Sequence, residues 1–256
     1  MELGLEGTAA LVTGGAGGIG AATARALAGE GVRVAVHYHS SRAAAEALAA
    51  EIDGVALQAD LRDEAAADAL VPAAVEALGR LDACVANAGT WDPEDVPVAR
   101  MSLERWRATI DSNLTATFLT ARSYLRHVEA SGAGSLVLVG STSGLFGEAG
   151  HADYSASKAA MAHGLLPTLK NEIVQAAPLG RVNLVAPGWT VTPMTEHELT
   201  EETVKRVTAT MALRKVATAE DIARAIVFLC SPLAASHVTG QIITVAGGME
   251  GRLLHP

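Results

Sequence analysis

The densest chemistry in the chain lies in Ser141-Thr142-Ser143 and Tyr154-Ser155-Ala156-Ser157-Lys158. Tyr154 and Lys158 stand at i and i+4, so on a helix they share a face. An ammonium beside a phenol lowers its pKa and makes it a better proton donor and acceptor near neutral pH. By itself the pair is common. Ser141, at a strand end thirteen residues before the tyrosine, supplies a hydroxyl to orient a substrate oxygen. Ser143 takes that role if the register is shifted, while Ser155 and Ser157 read as surface or packing residues.

A second constellation is Thr13-Gly14-Gly15-Ala16-Gly17-Gly18-Ile19-Gly20. Gly15, Gly17 and Gly20 fit GxGxxG, and Gly14, Gly18 and Gly20 fit TGxxxGxG. Glycine lets backbone approach a pyrophosphate, and the following helix start offers free amides and partial positive charge. A dinucleotide site follows from that position between a first strand and a helix. Where NAD binders carry an acid, the second strand ends in His37-Tyr38-His39-Ser40-Ser41-Arg42, with no acid before Glu46. The hydroxyls of Ser40 and Ser41 and the forked donors of Arg42 suit a 2′-phosphate. The glycine loop itself carries no basic residue, which counts against a 2′-phosphate; on balance NADP(H) is the preferred cofactor and NAD(H) the alternative.

These residues need a scaffold that presents loops at strand ends. Apolar strand-like segments at 8–13, 32–38, 55–59, 81–86, 135–139, 182–186 and 241–245 alternate with helical ones. The helices read as 19–30, 42–51, 64–78, 103–130, 154–176, 196–211 and 219–230. Several strands are continuous apolar runs, as expected when helices cover both sheet faces. The pattern predicts an α/β doubly wound Rossmann fold, with a mostly parallel seven-stranded sheet flanked by helices. No linker or composition break divides residues 1–256, so one dinucleotide-binding and catalytic domain is expected.

Half of the residues are hydrophobic and 18% charged, which supplies a large core. A net charge of −9 and 4% aromatics argue against nucleic-acid or anionic-membrane partners. Cys84 and Cys230 sit in apolar runs and read as buried reduced thiols. His37 and His39 lack a third ligand, so no metal is expected. The amino terminus lacks the features of a signal peptide and no long apolar run is present, which places the chain in the cytoplasm as a default.

Taken together, these motifs resemble the short-chain dehydrogenase/reductase family, in its single-domain branch, over nearly the whole chain. Thr13, Gly14, Gly18 and Gly20 match its glycine motif, and Asp60, followed by Leu61, matches its adenine-side acid. Its NNAG segment appears as Ala86-Asn87-Ala88-Gly89, with the first asparagine replaced. Asn113, Ser141, Tyr154 and Lys158 match the catalytic set. Pro187-Gly188-Trp189-Thr190-Val191-Thr192 matches PGxxxT, implying that Pro187, Gly188, Thr190 and Thr192 hold the nicotinamide carboxamide. The resemblance implies hydride transfer to a ketone, with Tyr154 as acid, Ser141 on the substrate oxygen, Lys158 on the ribose and Asn113 in a water relay.

For substrate, the resemblance implies a lid at about 189–211, and greatest likeness to the 3-oxoacyl-acyl-carrier-protein reductases. Candidate substrate contacts are Trp91, Phe146, His151, Trp189 and Met194; the alternative for His151 is an exposed loop residue. A small ketone or alcohol, or an acyl-carrier-bound substrate, is the expected partner, with Arg122, Arg126, His127 or Lys170 as docking residues. The branch is commonly tetrameric, and the 247–256 tail is a candidate interface in a homotetramer. Two alternatives remain: an NAD-dependent alcohol dehydrogenase acting on a sugar- or steroid-like substrate, and a non-catalytic cofactor-sensing module.

Overall fold

Strands with apolar residues on both faces make two cores, one on each side of a sheet. A computed structural model describes residues 2–249. The first half alternates β1 (Ala9–Val12), α1 (Gly18–Gly29), β2 (Arg33–Tyr38), α2 (Arg42–Glu51), β3 (Val55–Gln58), α3 (Glu64–Leu78) and β4 (Ala83–Ala86). Then come α4 (Leu103–Ile110), α5 (Ala116–Ser131), β5 (Ser135–Val139), α6 (Ser143–Phe146), α7 (Ala152–Ala160), α8 (Leu166–Ala176) and β6 (Arg181–Pro187). The last elements are β7 (Thr190–Val191), α9 (Glu201–Thr208), β8 (Ala217–Thr218), α10 (Ala219–Cys230) and β9 (Ile242–Val245).

Seven strands form one sheet in the order β3-β2-β1-β4-β5-β6-β9, every pair parallel. This is the expected doubly wound Rossmann architecture. Alternate residues of a strand serve opposite cores: Leu136 and Leu138 pack with α3, α5 and α8, whereas Val137 and Val139 pack with α1 and α10. Between β1 and β4 the order reverses, and loops after the carboxyl ends of these strands diverge into a crevice. The two thiols are free and buried as expected, and burial pushes that of Cys230 up to about 12. No helix among the described residues is long and apolar enough to cross a membrane.

Three departures from the sequence pattern bear on the crevice. The single helix expected over 103–130 is broken by a π turn at Asp111–Thr115, and that over 154–176 by one at Met161–Leu165. A π turn inserts a residue into the helical ladder and rotates the following side chains. The helix expected over 196–211 is confined to α9, started by the Thr200 hydroxyl, which accepts the Thr203 amide. Finally, β7 pairs with β8, a two-stranded sheet that ties together both ends of the segment between them. Of the tail proposed as an interface, residues 250–256 lie outside the described residues.

Candidate active site

The glycine loop is built by close backbone approach. Gly14 adopts φ 61°, and a Cβ there would lie 3.0 Å from the Ala88 Cα. A Cβ on Gly18 would meet Thr192 at 2.6 Å, and one on Gly20 would strike the Gly14 carbonyl oxygen. Helix α1 begins at Gly17 with no capping side chain and no acid in its first turn. Among the described residues, the amides of Gly18, Ile19 and Gly20 meet no protein acceptor. Free donors at a helix start can receive an anion. The loop is braced by Thr13, whose hydroxyl accepts the amides of Asn87 and Ala88, both at 3.0 Å, and by Asn87, which donates to the Thr13 and Gly14 carbonyls.

His37, read from sequence only as half of a weak metal pair, braces the loop from the other side. Its Nδ1 accepts the Gly14 amide at 3.0 Å, so Nε2 carries the proton and donates to the Ala59 carbonyl at 3.1 Å. Burial pulls the imidazole down to about 4 and keeps it neutral at pH 7. A polar residue within an otherwise buried strand was the available signal, because such a group must find partners.

Across the crevice, α7 presents Tyr154 and Lys158 as the spacing predicts. The Lys158 ammonium lies 5.6 Å from the centre of the Tyr154 ring and donates to the Val139 carbonyl at 3.0 Å. Burial pulls that lysine down to about 8. Burial also pushes the Tyr154 phenol up to about 12; interaction with the Ser141 hydroxyl lowers it, and the Glu148 charge raises it. Burial, not the lysine, thus dominates the phenol, which is protonated at neutral pH. Ser143, the alternative hydroxyl, also lines the cleft, with its Oγ 2.7 Å from that of Ser155.

The π turn in the long helix places Asn113, which is wholly buried, beneath the same cluster. Its Nδ2 donates to the carbonyls of Thr90 and Thr109, and its Oδ1 accepts the Thr90 amide. A Cβ on Gly89 would strike Asn113 Oδ1 and approach Lys158 Nζ at 3.4 Å, so glycine there lets asparagine, lysine and backbone converge. Asp153, unremarked in the sequence, anchors α7. It accepts the Tyr154 amide, the Thr109 hydroxyl and Arg105 Nε, and hydrogen bonds hold its carboxyl below the usual range against the opposing effect of burial.

These groups line a cleft of about 260 Å³. Its wall includes Gly14, Gly18, Ile19, Gly20, Asn87, Ala88 and Gly89, together with Asn113, Ser141, Tyr154 and Lys158. Pro187, Gly188, Thr190 and Thr192 line it, as do Trp91, Trp189 and Met194. Glu148 and Thr195, from the loops 145–153 and 189–211 where sequence places substrate specificity, also line it, as does Met249, which no sequence signal singled out. Phe146 and His151 stand outside the lining. His151 is also not an exposed loop residue: it is 3% exposed, its Nε2 donates to the Asp92 carbonyl at 2.9 Å, and it stacks on Trp91 with centroids 5.2 Å apart.

Ser40, Ser41, Arg42, Asp60 and Leu61 lie beyond this lining, at the ends of β2 and β3. Arg42 is exposed, 3.2 Å from Glu46 and 5.8 Å over the Tyr38 ring. Leu61 is buried in the core beneath. Arg62, missed in the sequence, grips Asp60 through Nε and Nη2 at 2.9 and 2.7 Å and holds its carboxyl well below the usual range.

A family profile described as Enoyl-(Acyl carrier protein) reductase matches residues 14–250. The chain is similar to a 3-oxoacyl-acyl-carrier-protein reductase of Synechocystis sp., 36% identical over 96% of this chain and 98% of the relative. It is also similar to a cis-4-hydroxycyclohexanecarboxylate dehydrogenase of Sinomonas cyclohexanicum, 39% identical over 93% and 95%. An acetoacetyl-CoA reductase of Acinetobacter sp. is 33% identical over 95% and 98%.

Proposed function

The chain belongs to the short-chain dehydrogenase/reductase family of oxidoreductases acting on CH–OH and C=O groups, and we propose that it is an NADP(H)-dependent reductase of a ketone, 3-oxoacyl-type or another small carbonyl. One observation carries this reading: Tyr154, Ser141, Lys158 and Asn113 converge in a single cleft whose other wall is a glycine-lined anion cradle.

The residues present fit a nicotinamide dinucleotide. Free amides at Gly18, Ile19 and Gly20 suit its pyrophosphate, and a Cβ at Gly14 or Gly18 would press on Ala88 or collide with Thr192 at the edge of the cleft. Asn87, Ala88 and Gly89 flank the same strand ends, with Asp60 and Leu61 toward the adenine and Ser40, Ser41 and Arg42 toward a 2′-phosphate. Pro187, Gly188, Thr190 and Thr192 face the carboxamide end. When bound, the cofactor supplies a hydride to the carbonyl carbon.

The chain's own groups handle the oxygen and the proton. Ser141 donates a hydrogen bond to the carbonyl oxygen and stabilises charge developing there. Tyr154, protonated at neutral pH, gives its proton to that oxygen as the alcohol forms. Lys158 then favours the phenolate electrostatically until a proton returns, and binds the ribose hydroxyls. Asn113 holds the floor of the cleft and the Thr90 backbone in register. In the reverse direction Tyr154 is the base. The reading includes a cytoplasmic homotetramer with a substrate lid at about 189–211.

NADPH oxidation with a panel of β-keto esters and diketones tests it. Tyr154→Phe is expected to lower kcat by about 10²–10⁴-fold while NADPH binding, followed by fluorescence, persists. Equal rates in wild type and variant would remove Tyr154 from the chemistry. Cofactor binding without reduction of any ketone would favour the sensing module.

A further inference from the structure

Resting on that reductase reading, we infer that the outer half of the cleft selects an uncharged ketone bearing an apolar or aromatic ring, with Glu148 excluding substrates that carry a carboxylate or phosphate. Lys158 and Glu148 are the charged side chains among the described lining residues. Lys158 points inward to the Val139 carbonyl, so among the described residues no cation of the outer wall awaits an anion. Glu148 is near enough to Tyr154 for its charge to act on the phenol. An anionic group next to the reacting carbonyl therefore meets a like charge in a partly desolvated cleft, where repulsion is poorly screened.

The rest of the outer wall favours rings. Trp91 and Trp189 meet edge to face, with centroids 5.9 Å apart and planes at 82°, and His151 backs Trp91. Met194 and Met249 add polarisable surface. The loop carrying Trp91 continues into Asp92, Glu94 and Asp95, whose side chains are 53%, 78% and 81% exposed. Its nearby cation, Arg105, is largely covered and already bonded to Asp153 and the Glu94 carbonyl. Lys205 and Arg206 stand in the last turn of α9, outside the lining.

An acidic carrier protein or a CoA arm would have to enter past this rim. The cations expected to dock such a partner are already engaged. Arg122 pairs with Glu64 and Asp68, and Arg126 with Asp68. His127 bonds the Leu81 carbonyl and Lys170 bonds Asn171. The geometry favours a small free ketone over a carrier-bound one.

The test uses the full chain with NADPH and a matched pair, methyl 4-oxocyclohexanecarboxylate and the free 4-oxocyclohexanecarboxylate, with acetoacetyl-CoA as a phosphate-bearing substrate. Wild type is expected to prefer the ester over the acid by about tenfold or more in kcat/KM, through KM rather than kcat, as expected for one unscreened like charge. Glu148→Gln should lower KM for the acid and shrink that preference; Glu148→Lys should invert it. A preference for the acid or the CoA thioester in wild type, or an ester-to-acid ratio unmoved in both variants, overturns this inference and leaves the reductase reading standing. Absence of any Tyr154-dependent reduction removes both.

Discussion

Replacing Lys158 with methionine is expected to stabilise the protein against heat while abolishing its activity. The ammonium is 4% exposed and has one protein acceptor, the Val139 carbonyl. Burial holds its pKa at about 8 instead of 10.5. Keeping it charged at pH 7 therefore costs about 3 kcal/mol, at ~1.4 kcal/mol per pH unit. Methionine keeps most of the apolar stem and removes the charge, but leaves the Val139 carbonyl without that donor, a loss of about 1 kcal/mol. The net gain is about 2 kcal/mol, or roughly 4–8 °C in Tm for a chain of this size. The pH dependence fixes the cause. Between pH 8 and 10.5 the unfolded state holds the lysine proton and the folded state does not, so wild-type stability rises with pH across that window. The advantage of methionine must shrink in step. Calorimetric melts of both proteins without cofactor at pH 7, 8.5 and 9.5 would measure it. A variant less stable than wild type at pH 7, or a gap that stays constant with pH, refutes the reasoning.

Two further outcomes test the cofactor wall. Arg42→Ala is expected to raise the Kd for NADPH by about tenfold, the value of one charge-assisted contact, and to leave that for NADH unchanged; calorimetry that finds no change for NADPH removes the 2′-phosphate from this corner. Gly20→Ala forces a methyl against the Gly14 carbonyl and Asn87 Nδ2. It should cost about 1–3 kcal/mol of stability and most of the dinucleotide affinity, and retained NADPH binding would show that the loop does not form the cradle.

The parts legible in sequence were those where one residue type alone fits the physics. Continuous apolar strands between helices specify a buried parallel sheet, and glycines after β1 specify backbone approach, so the sheet and the cradle follow directly. The i, i+4 spacing put Tyr154 and Lys158 on one helix face. The π turns at Asp111–Thr115 and Met161–Leu165 were not legible, because one inserted residue shifts a hydrophobic stripe too little to register in a helical pattern. The burial of His151 escaped for a related reason: its partners, Asp92 and Trp91, lie far away in the chain, and loop context pointed to solvent.

Asp153 shows what such long-range contacts add. Its neighbour Tyr154 is recognisable from spacing, but the position of that phenol depends on where α7 begins. The structure ties that point to the Tyr154 amide, to Thr109 on α4 and to Arg105. Arg105 in turn donates to the Glu94 carbonyl, in the loop that carries Trp91. Asn113, just beyond on the same long helix, clasps the Thr90 backbone at the start of that loop. Tyr154 and the aromatic wall are thus held by one partly buried polar network, so a change at Trp91 is expected to reach the setting of the phenol as well. Buried networks of this kind act as a unit, because loss of one partner leaves the others desolvated and unpaired. On the proposed reading, substrate preference and proton transfer in this cleft are expected to be coupled through Arg105 and Asp153, so that Arg105→Ala alters kcat as well as KM.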